Sequence, residues 1–91
     1  MKIVYICGKV TGDPNYAEKF AKAKAELQEK GYMVVNPIDF TMEHWAWEKC
    51  MRVVLKKLLE CTAIHVLPDW EDSRGAKLEV QIATELGFEF I

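Results

Sequence analysis

The chain has 91 residues, of which 51% are hydrophobic and 29% are charged, and its formal net charge is −2. This length is enough for one domain, which we expect to span residues 1–91, and the composition is that of a globular protein. The weak negative charge gives no reason to expect a nucleic-acid polymer as partner. No apolar run approaches the roughly 20 residues that cross a bilayer, so no membrane association is expected.

The N-terminus and the cysteines indicate where the protein works. Met1 and Lys2 lead directly into an apolar segment, so we expect no signal peptide and a cytoplasmic protein. The three cysteines are scattered, which argues against a disulfide framework and fits a reducing compartment. The two histidines share no metal-ligand spacing with them. We expect neither a metal nor another cofactor.

The first half of the chain is predicted to run strand, helix, strand. Residues 3–6 form a β-branched apolar run that ends at Gly8. Asp13 and Pro14 are typical of a helix start, and the apolar residues from Tyr16 to Leu27 follow at helical spacing until Gly31. The charged side chains of this helix predict a solvated face. A second strand covers residues 32–35.

The second half repeats this alternation. Residues 38–45 are predicted to be a loop, and from Trp47 an apolar stripe predicts an amphipathic helix. Residues 63–67 form a third strand, which an acidic loop separates from a last helix over residues 75–86. Gly87 is predicted to cap that helix, and residues 88–91 to form a fourth strand.

This order predicts an α/β fold of the flavodoxin or Rossmann-like type. It has about four mostly parallel strands and three helices on both faces of the sheet. Ligands of such sheets bind outside the carboxyl ends of the strands. Three loops leave those ends, at residues 7–13, 36–45 and 68–74. The predicted binding site lies among them.

Glu79 is the sharpest candidate for chemistry. Ile82, Ala83 and Leu86 follow it at three, four and seven positions, so its carboxylate shares the buried face of the last helix. Burial of a carboxylate is costly unless it opens onto a cleft. The positive end of the helix dipole is expected to favour its ionised form. The alternative is a glutamate at the rim of the stripe that pairs with Lys77 or reaches water.

The loop before the last helix carries several carboxylates, a hydroxyl and an indole. Backbone N–H groups of residues 73–76 point out of the helix N-terminus and could hold an anion such as phosphate, with help from Arg74 and Lys9. The alternative is structural, with Asp72 or Ser73 as a cap and Trp70 covering the core. The glycine loop at residues 8–12 is a weaker signal, since a tight turn also explains it.

Together these segments resemble the nucleoside 2-deoxyribosyltransferase-like superfamily, and also the deoxynucleotide N-glycosidases. The resemblance rests on residues 5–8, on Asn36 and Pro37, on residues 67–69, and on the segment from Asp72 to Glu79 that Ala83 and Gly87 follow. It spans nearly the whole chain in order. It implies a small-molecule nucleoside or nucleotide as substrate, and a homo-oligomer.

The resemblance also implies residue roles. Glu79 would attack C1′ of the nucleoside, Tyr5 would orient Glu79, and Asp72 would contact the base or sugar, which makes these three the candidate catalytic residues. Ser73 stands six residues before the glutamate, as in the phosphate-preferring relatives. The candidate substrate-binding residues lie in or beside the three loops: Cys7, Gly8, Lys9, Asn36, Asp69, Trp70, Ser73, Arg74 and Gly75.

One departure from the pattern separates the functional hypotheses. Val54 and Thr62 stand where the family usually carries two aspartates, the first of which lies near the departing base. The first hypothesis is an enzyme that transfers deoxyribosyl groups or cleaves N-glycosidic bonds. The second is a non-catalytic nucleotide-binding module, and the third is a small oligomeric interaction protein with a degenerate pocket. Two tryptophans that look exposed, Trp45 and Trp47, favour self-association.

Overall fold

The fold is a parallel β-sheet with helices on both faces. A computed structural model of the chain describes residues 2–91. In chain order its elements are β1 (Ile3–Cys7), α1 (Tyr16–Glu29), β2 (Met33–Val35), α2 (Trp47–Leu59), β3 (Ala63–Val66), α3 (Arg74–Glu85) and β4 (Glu89–Phe90), with 3-10 helices at Pro37–Phe40 and Trp70–Asp72. The predicted α/β class, four parallel strands and three helices are confirmed.

The strand order is β2-β1-β3-β4, and every pairing is parallel. The strand β1 lies inside the sheet, where Tyr5 pairs with Val35 on one side and Ile64 on the other. The chain leaves β1 toward β2 and later returns to the opposite side as β3. This reversal opens a crevice at the carboxyl end of β1, where ligands of such folds bind.

Side chains of β1 alternate between two cores. Val4 and Ile6 pack with α1, in a cluster that includes Phe20 and Leu27. Tyr5 and Cys7 point to the other face and pack with both later helices; that cluster includes Met51, Val54, Leu58, Ala76 and Ala83. Each fully buried large apolar side chain contributes about 1.5–3 kcal/mol. The two cores hold β1 and its side chains in place.

The start of α1 differs from the prediction, while the glycines that were predicted to stop α1 and α3 do so. The helix α1 begins at Tyr16 with Asn15 as its N-cap, so Asp13 is not the cap. The Asp13 carboxylate instead accepts a hydrogen bond of 2.9 Å from the Asn15 amide, just before the helix. Gly31 and Gly87 have φ of +90° and +73°, which confirms them as helix stops.

The loops at the strand ends are more ordered than predicted. Asn36 caps the first 3-10 helix, since its Oδ1 accepts a hydrogen bond from the Ile38 amide at 3.4 Å. The last helix begins one residue early, at Arg74, because Ser73 caps it. The predicted fourth strand is too long, since β4 covers two residues. Within residues 2–91, no helix has the length and apolar character needed to cross a membrane.

Candidate active site

A cavity of about 380 Å³ opens at the carboxyl ends of β1 and its neighbours. Residues from all three predicted loops contribute to its wall, together with the inner face of α2 and the start of α3. The contributing side chains are mainly apolar or aromatic, with hydroxyls from Tyr5, Thr11, Tyr16, Thr41 and Ser73 and carboxylates from Glu43 and Glu79. Among residues 2–91, neither lysine nor arginine lines it. An apolar cavity with a few converging polar groups is the usual form of a small-molecule site.

Glu79 lies on the inner wall of this cavity and is 5% exposed. The Tyr5 hydroxyl donates a hydrogen bond to its Oε2 atom. The expected contact between these two side chains is therefore present, and the alternative of a rim glutamate that reaches solvent is wrong. A partly desolvated carboxylate with a fixed donor is suited to act as a base or nucleophile.

Burial controls the protonation of Glu79. Removal from water raises the pKa of Glu79 to about 7, although the hydrogen bond from Tyr5 and the neighbouring Cys7 thiol oppose this rise. The expectation that the helix dipole would favour the ionised form does not decide the outcome. Glu79 is the sixth residue of α3, beyond the first turn in which the dipole acts. Near neutral pH both protonation states of the carboxyl group are populated.

The two neighbours of Glu79 keep their protons. Burial first, and then the Glu79 carboxylate, raise the pKa of the Tyr5 hydroxyl well above its ordinary value, so this hydroxyl remains a donor. Burial likewise raises the pKa of the Cys7 thiol, which donates to the Ala76 carbonyl at 3.5 Å. A buried, protonated thiol is a poor nucleophile. Cys7 therefore belongs to the packing around Glu79 and does not line the cavity.

The start of α3 forms the β3 side of the cavity. Ser73 and Gly75 both line it. The Ser73 Oγ atom accepts a hydrogen bond of 3.1 Å from the Ala76 amide, so one of the four expected amides is already used. The Ser73 amide is used too, since it donates to Trp70 O at 3.1 Å. Of the four, the amides of Arg74 and Gly75 have no partner within residues 2–91.

Two predicted glycines have packing roles at this site. A Cβ on Gly75 would lie 3.0 Å from the Met51 sulfur, so the glycine lets α2 pack against the start of α3. A Cβ on Gly8 would lie 2.7 Å from Leu67 Cδ1. Both glycines nevertheless line the cavity, as expected of substrate-binding residues.

Several predicted site residues do not reach the cavity wall. Asp72 is exposed on the second 3-10 helix, and Trp70 packs against the core. Arg74 is also exposed, and its guanidinium lies over the Trp47 ring, 3.6 Å from the centroid. Asn36 is buried in its capping role. Of the candidate residues, only Tyr5, Gly8, Ser73, Gly75 and Glu79 line the cavity.

Lys9 and Asp69 join two loops to one another. The Lys9 amide donates to Asp69 Oδ1 at 3.1 Å, while the Lys19 ammonium group pairs with Asp69 and with Asp13. Burial alone would raise the pKa of Asp69, but the hydrogen bonds from Lys19 and from the Lys9 amide lower it. Lys19 was expected on a solvated face and is instead half-buried. Asp69 supports the loops beside the cavity.

The sequence did not identify the part of the cavity wall that the residues of α2, the segment before it and the first residue of α1 form. Trp45 and Trp47 are half-buried and line the cavity, so the expectation that both are exposed is wrong. Tyr16 and Glu43 face the same space, and the Tyr16 hydroxyl donates to Glu43 Oε1 at 2.6 Å. Periodicity alone indicated that the α2 residues are buried, but not that they surround a cavity.

Val54 also lines the cavity. The position that the resemblance associates with a carboxylate near the departing base therefore contributes an apolar surface. Thr62, at the second such position, is exposed and is not part of the cavity wall.

Comparison with known proteins identifies one family. A family described as a domain of unknown function (DUF4406) matches residues 2–91. No curated protein matches the chain.

Proposed function

Because the chain belongs to the DUF4406 family, whose description assigns no function, we propose from the site and from the resemblance of the sequence that it acts on the N-glycosidic bond of nucleosides or nucleotides. The reaction is deoxyribosyl transfer or hydrolysis, and Glu79 is the nucleophile. The resemblance to the nucleoside 2-deoxyribosyltransferase-like superfamily supplies this reaction class. The observation that carries the proposal is the buried Glu79 carboxylate, hydrogen-bonded by Tyr5 on the wall of the cavity.

The cavity supports a sugar-and-base ligand. A volume of about 380 Å³ lies within the range of small-molecule sites. Its apolar and aromatic wall suits a flat heterocycle, and its hydroxyls suit the polar sugar. Glu79 and Trp47 both line this cavity, so the reactive carboxylate and an aromatic surface for the base belong to one site.

The proposed reaction has two displacement steps. In the first, the ionised Glu79 carboxylate attacks C1′ as the C1′–N bond breaks, and the bond electrons leave with the base, which takes a proton from solvent. In the second, water or another base attacks C1′, loses a proton, and releases Glu79 from the ester. Tyr5 keeps its proton and orients the carboxylate, and a pKa of about 7 leaves Glu79 ionised in a large fraction of molecules at neutral pH.

The test is release of free base. The protein is incubated with deoxynucleosides and their monophosphates, and the base is measured by chromatography. We expect release by the unchanged chain and none by Glu79→Ala or Glu79→Gln, of which Glu79→Gln also keeps an acceptor for the buried Tyr5 hydroxyl. Glu85→Gln, an exposed carboxylate of the same helix, is the matched control. Release that persists in both Glu79 variants would overturn the proposal.

A second candidate function follows from Val54. With an apolar side chain there, that position offers no proton donor to a departing base. The chain would then be a non-catalytic module that binds nucleosides or nucleotides. Calorimetric binding of a deoxynucleoside without any release of base over long incubation would favour this function.

A further inference from the structure

The cavity has two chemically different ends. The strand β1, which carries Tyr5, lies between β2 and β3. The loop after β2 therefore reaches the cavity from one side of Tyr5, and the start of α3, which follows β3, reaches it from the other. The α3 end offers the Ser73 hydroxyl and the free amide of Gly75, both of which can donate hydrogen bonds. The opposite end contains Glu43.

Glu43 is held in place at that end. The Tyr16 hydroxyl, at the first residue of α1, donates to its Oε1 atom at 2.6 Å. A second, shallower depression continues from the cavity here; it shares Val10, Thr11, Tyr16 and Glu43 with the cavity and contains no residue of α3. The Tyr16–Glu43 pair therefore lies at the end of the cavity away from the N-terminus of α3.

From this arrangement we propose that Glu43 determines base specificity by accepting a hydrogen bond from an amino group of the base, with Tyr16 as its positioning residue. The inference rests on the proposed function and extends it. The substrate class is then nucleosides or nucleotides whose base carries an exocyclic amino group. The sugar lies at Glu79, and any 5′ substituent points toward the start of α3.

The chemistry of the carboxylate supports this choice. An ionised carboxylate only accepts hydrogen bonds, and Tyr16 occupies one of its oxygen atoms. The Oε2 atom has no protein partner within residues 2–91. In the part of the chain that the structure describes, no lysine or arginine lines the cavity to compete for it. A base that presents an amino group supplies the missing donor, whereas a carbonyl oxygen in that place would face a negative charge.

Charge also sets the direction in which the ligand lies. Glu43 would repel a phosphate, while the N-terminus of α3 at the other end favours one. A ligand with an anionic group and an amino-bearing base therefore has one favourable orientation. The base then reaches Glu43 and lies beside the half-buried Trp45.

The test compares two nucleosides that differ only in the amino group: deoxyadenosine and purine 2′-deoxyriboside. Both are titrated calorimetrically into the full chain with Glu79→Gln, so that no ligand is consumed. Because Glu43 is solvent-exposed, its hydrogen bond to the amino group should contribute a free energy at the low end of the range for charge-assisted hydrogen bonds. We therefore expect deoxyadenosine to bind about tenfold more tightly than purine 2′-deoxyriboside. Adding Glu43→Met is expected to abolish this preference, and adding Tyr16→Phe to reduce it.

The matched control is Glu48→Met, which removes an exposed carboxylate from the first turn of α2 and should leave the tenfold ratio unchanged. Equal affinities for the two nucleosides, or a ratio that Glu43→Met leaves intact, would overturn the assignment of Glu43. Base release that depends on Glu79 would persist in that case, so the proposed function would stand. Failure to bind by both nucleosides and by their 5′-monophosphates would overturn both inferences.

Discussion

Tyr5 donates a hydrogen bond to Glu79 although the two residues are 74 positions apart in the chain. One belongs to the first strand and the other to the last helix, and both are buried. The contact exists because β1 lies inside the sheet and α3 packs across it. It lets a carboxylate that burial would otherwise keep protonated retain a substantial ionised population near pH 7.

The first prediction concerns stability and pH. A pKa raised from 4.5 to about 7 means that the folded chain holds the Glu79 proton more tightly than the unfolded chain. The tighter binding of this proton stabilises the folded chain fully below about pH 4.5, and this stabilisation is lost as the pH rises through about 7. The free energy of unfolding should fall by about 3 kcal/mol over this range.

Chemical denaturation at several pH values measures this loss. Glu79→Gln does not titrate, so its unfolding free energy should fall less steeply, whereas Glu85→Gln should follow the unchanged chain. Parallel curves for the Glu79→Gln variant and the unchanged chain would show that Glu79 does not titrate in this range.

The second prediction concerns Tyr5. Its hydrogen bond lowers the pKa of Glu79, so Tyr5→Phe should raise that pKa above 7. The ascending limb of the pH–rate profile for base release should then move up by about one pH unit or more, because a hydrogen bond to a charged group contributes about 1.5–3 kcal/mol. Tyr32→Phe, on the α1 side of the sheet, is the control. An unchanged ascending limb in Tyr5→Phe would show that Tyr5 does not influence the pKa of Glu79.

The third prediction is that a phosphate on the ligand increases affinity. The free amides of Arg74 and Gly75 and the Ser73 hydroxyl are donors at a helix N-terminus. Calorimetry should show a deoxynucleoside monophosphate binding about tenfold more tightly than its unphosphorylated parent. Ser73→Ala, which removes the hydroxyl donor, should reduce this difference, and Thr84→Ala, which removes an exposed hydroxyl of the same helix, should not. Equal affinities would leave Ser73 with its capping role alone.

The fourth prediction is self-association. Several large apolar side chains are exposed, including Met33 at one edge of the sheet and Phe90 at the other. Surface of this kind is stabilised by a second copy of the chain. Sedimentation velocity at tens of micromolar should show a species larger than the monomer, with the monomer appearing on dilution. A monomer at every concentration would contradict the prediction.

Local pattern was enough to predict the fold and the key carboxylate. Apolar residues after Glu79 predicted that its side chain shares a buried face, and the structure buries Glu79 and Ala83 there, although Leu86 is 57% exposed and does not belong to that face. The glycines at 31 and 87 ended their helices for a reason visible in the sequence, since only glycine adopts positive φ freely. These signals act within a few residues.

Partners distant in the chain could not be predicted in this way. Lys19 looked like one of many solvated charges, yet it pairs with Asp69, 50 positions away. That pairing, with the Lys9 amide, occupies a carboxylate that loop chemistry alone assigned to the substrate. Likewise, nothing local indicated that Tyr16 would contact Glu43, 27 positions away, at the end of the cavity. Such contacts depend on how the loops pack together.

The side chains of β1 point alternately into two cores, and this pattern makes the Tyr5–Glu79 contact depend on the register in which β1 pairs with its neighbours. A slip of one residue in the pairing of β1 would turn Tyr5 toward α1 and present Val4 or Ile6 to Glu79. The buried carboxylate would then lose its hydroxyl donor, at a cost of about 1–3 kcal/mol or more. Glu79 therefore disfavours the misaligned sheet, and a substitution made only to remove its reactivity also weakens the selection of the correct register.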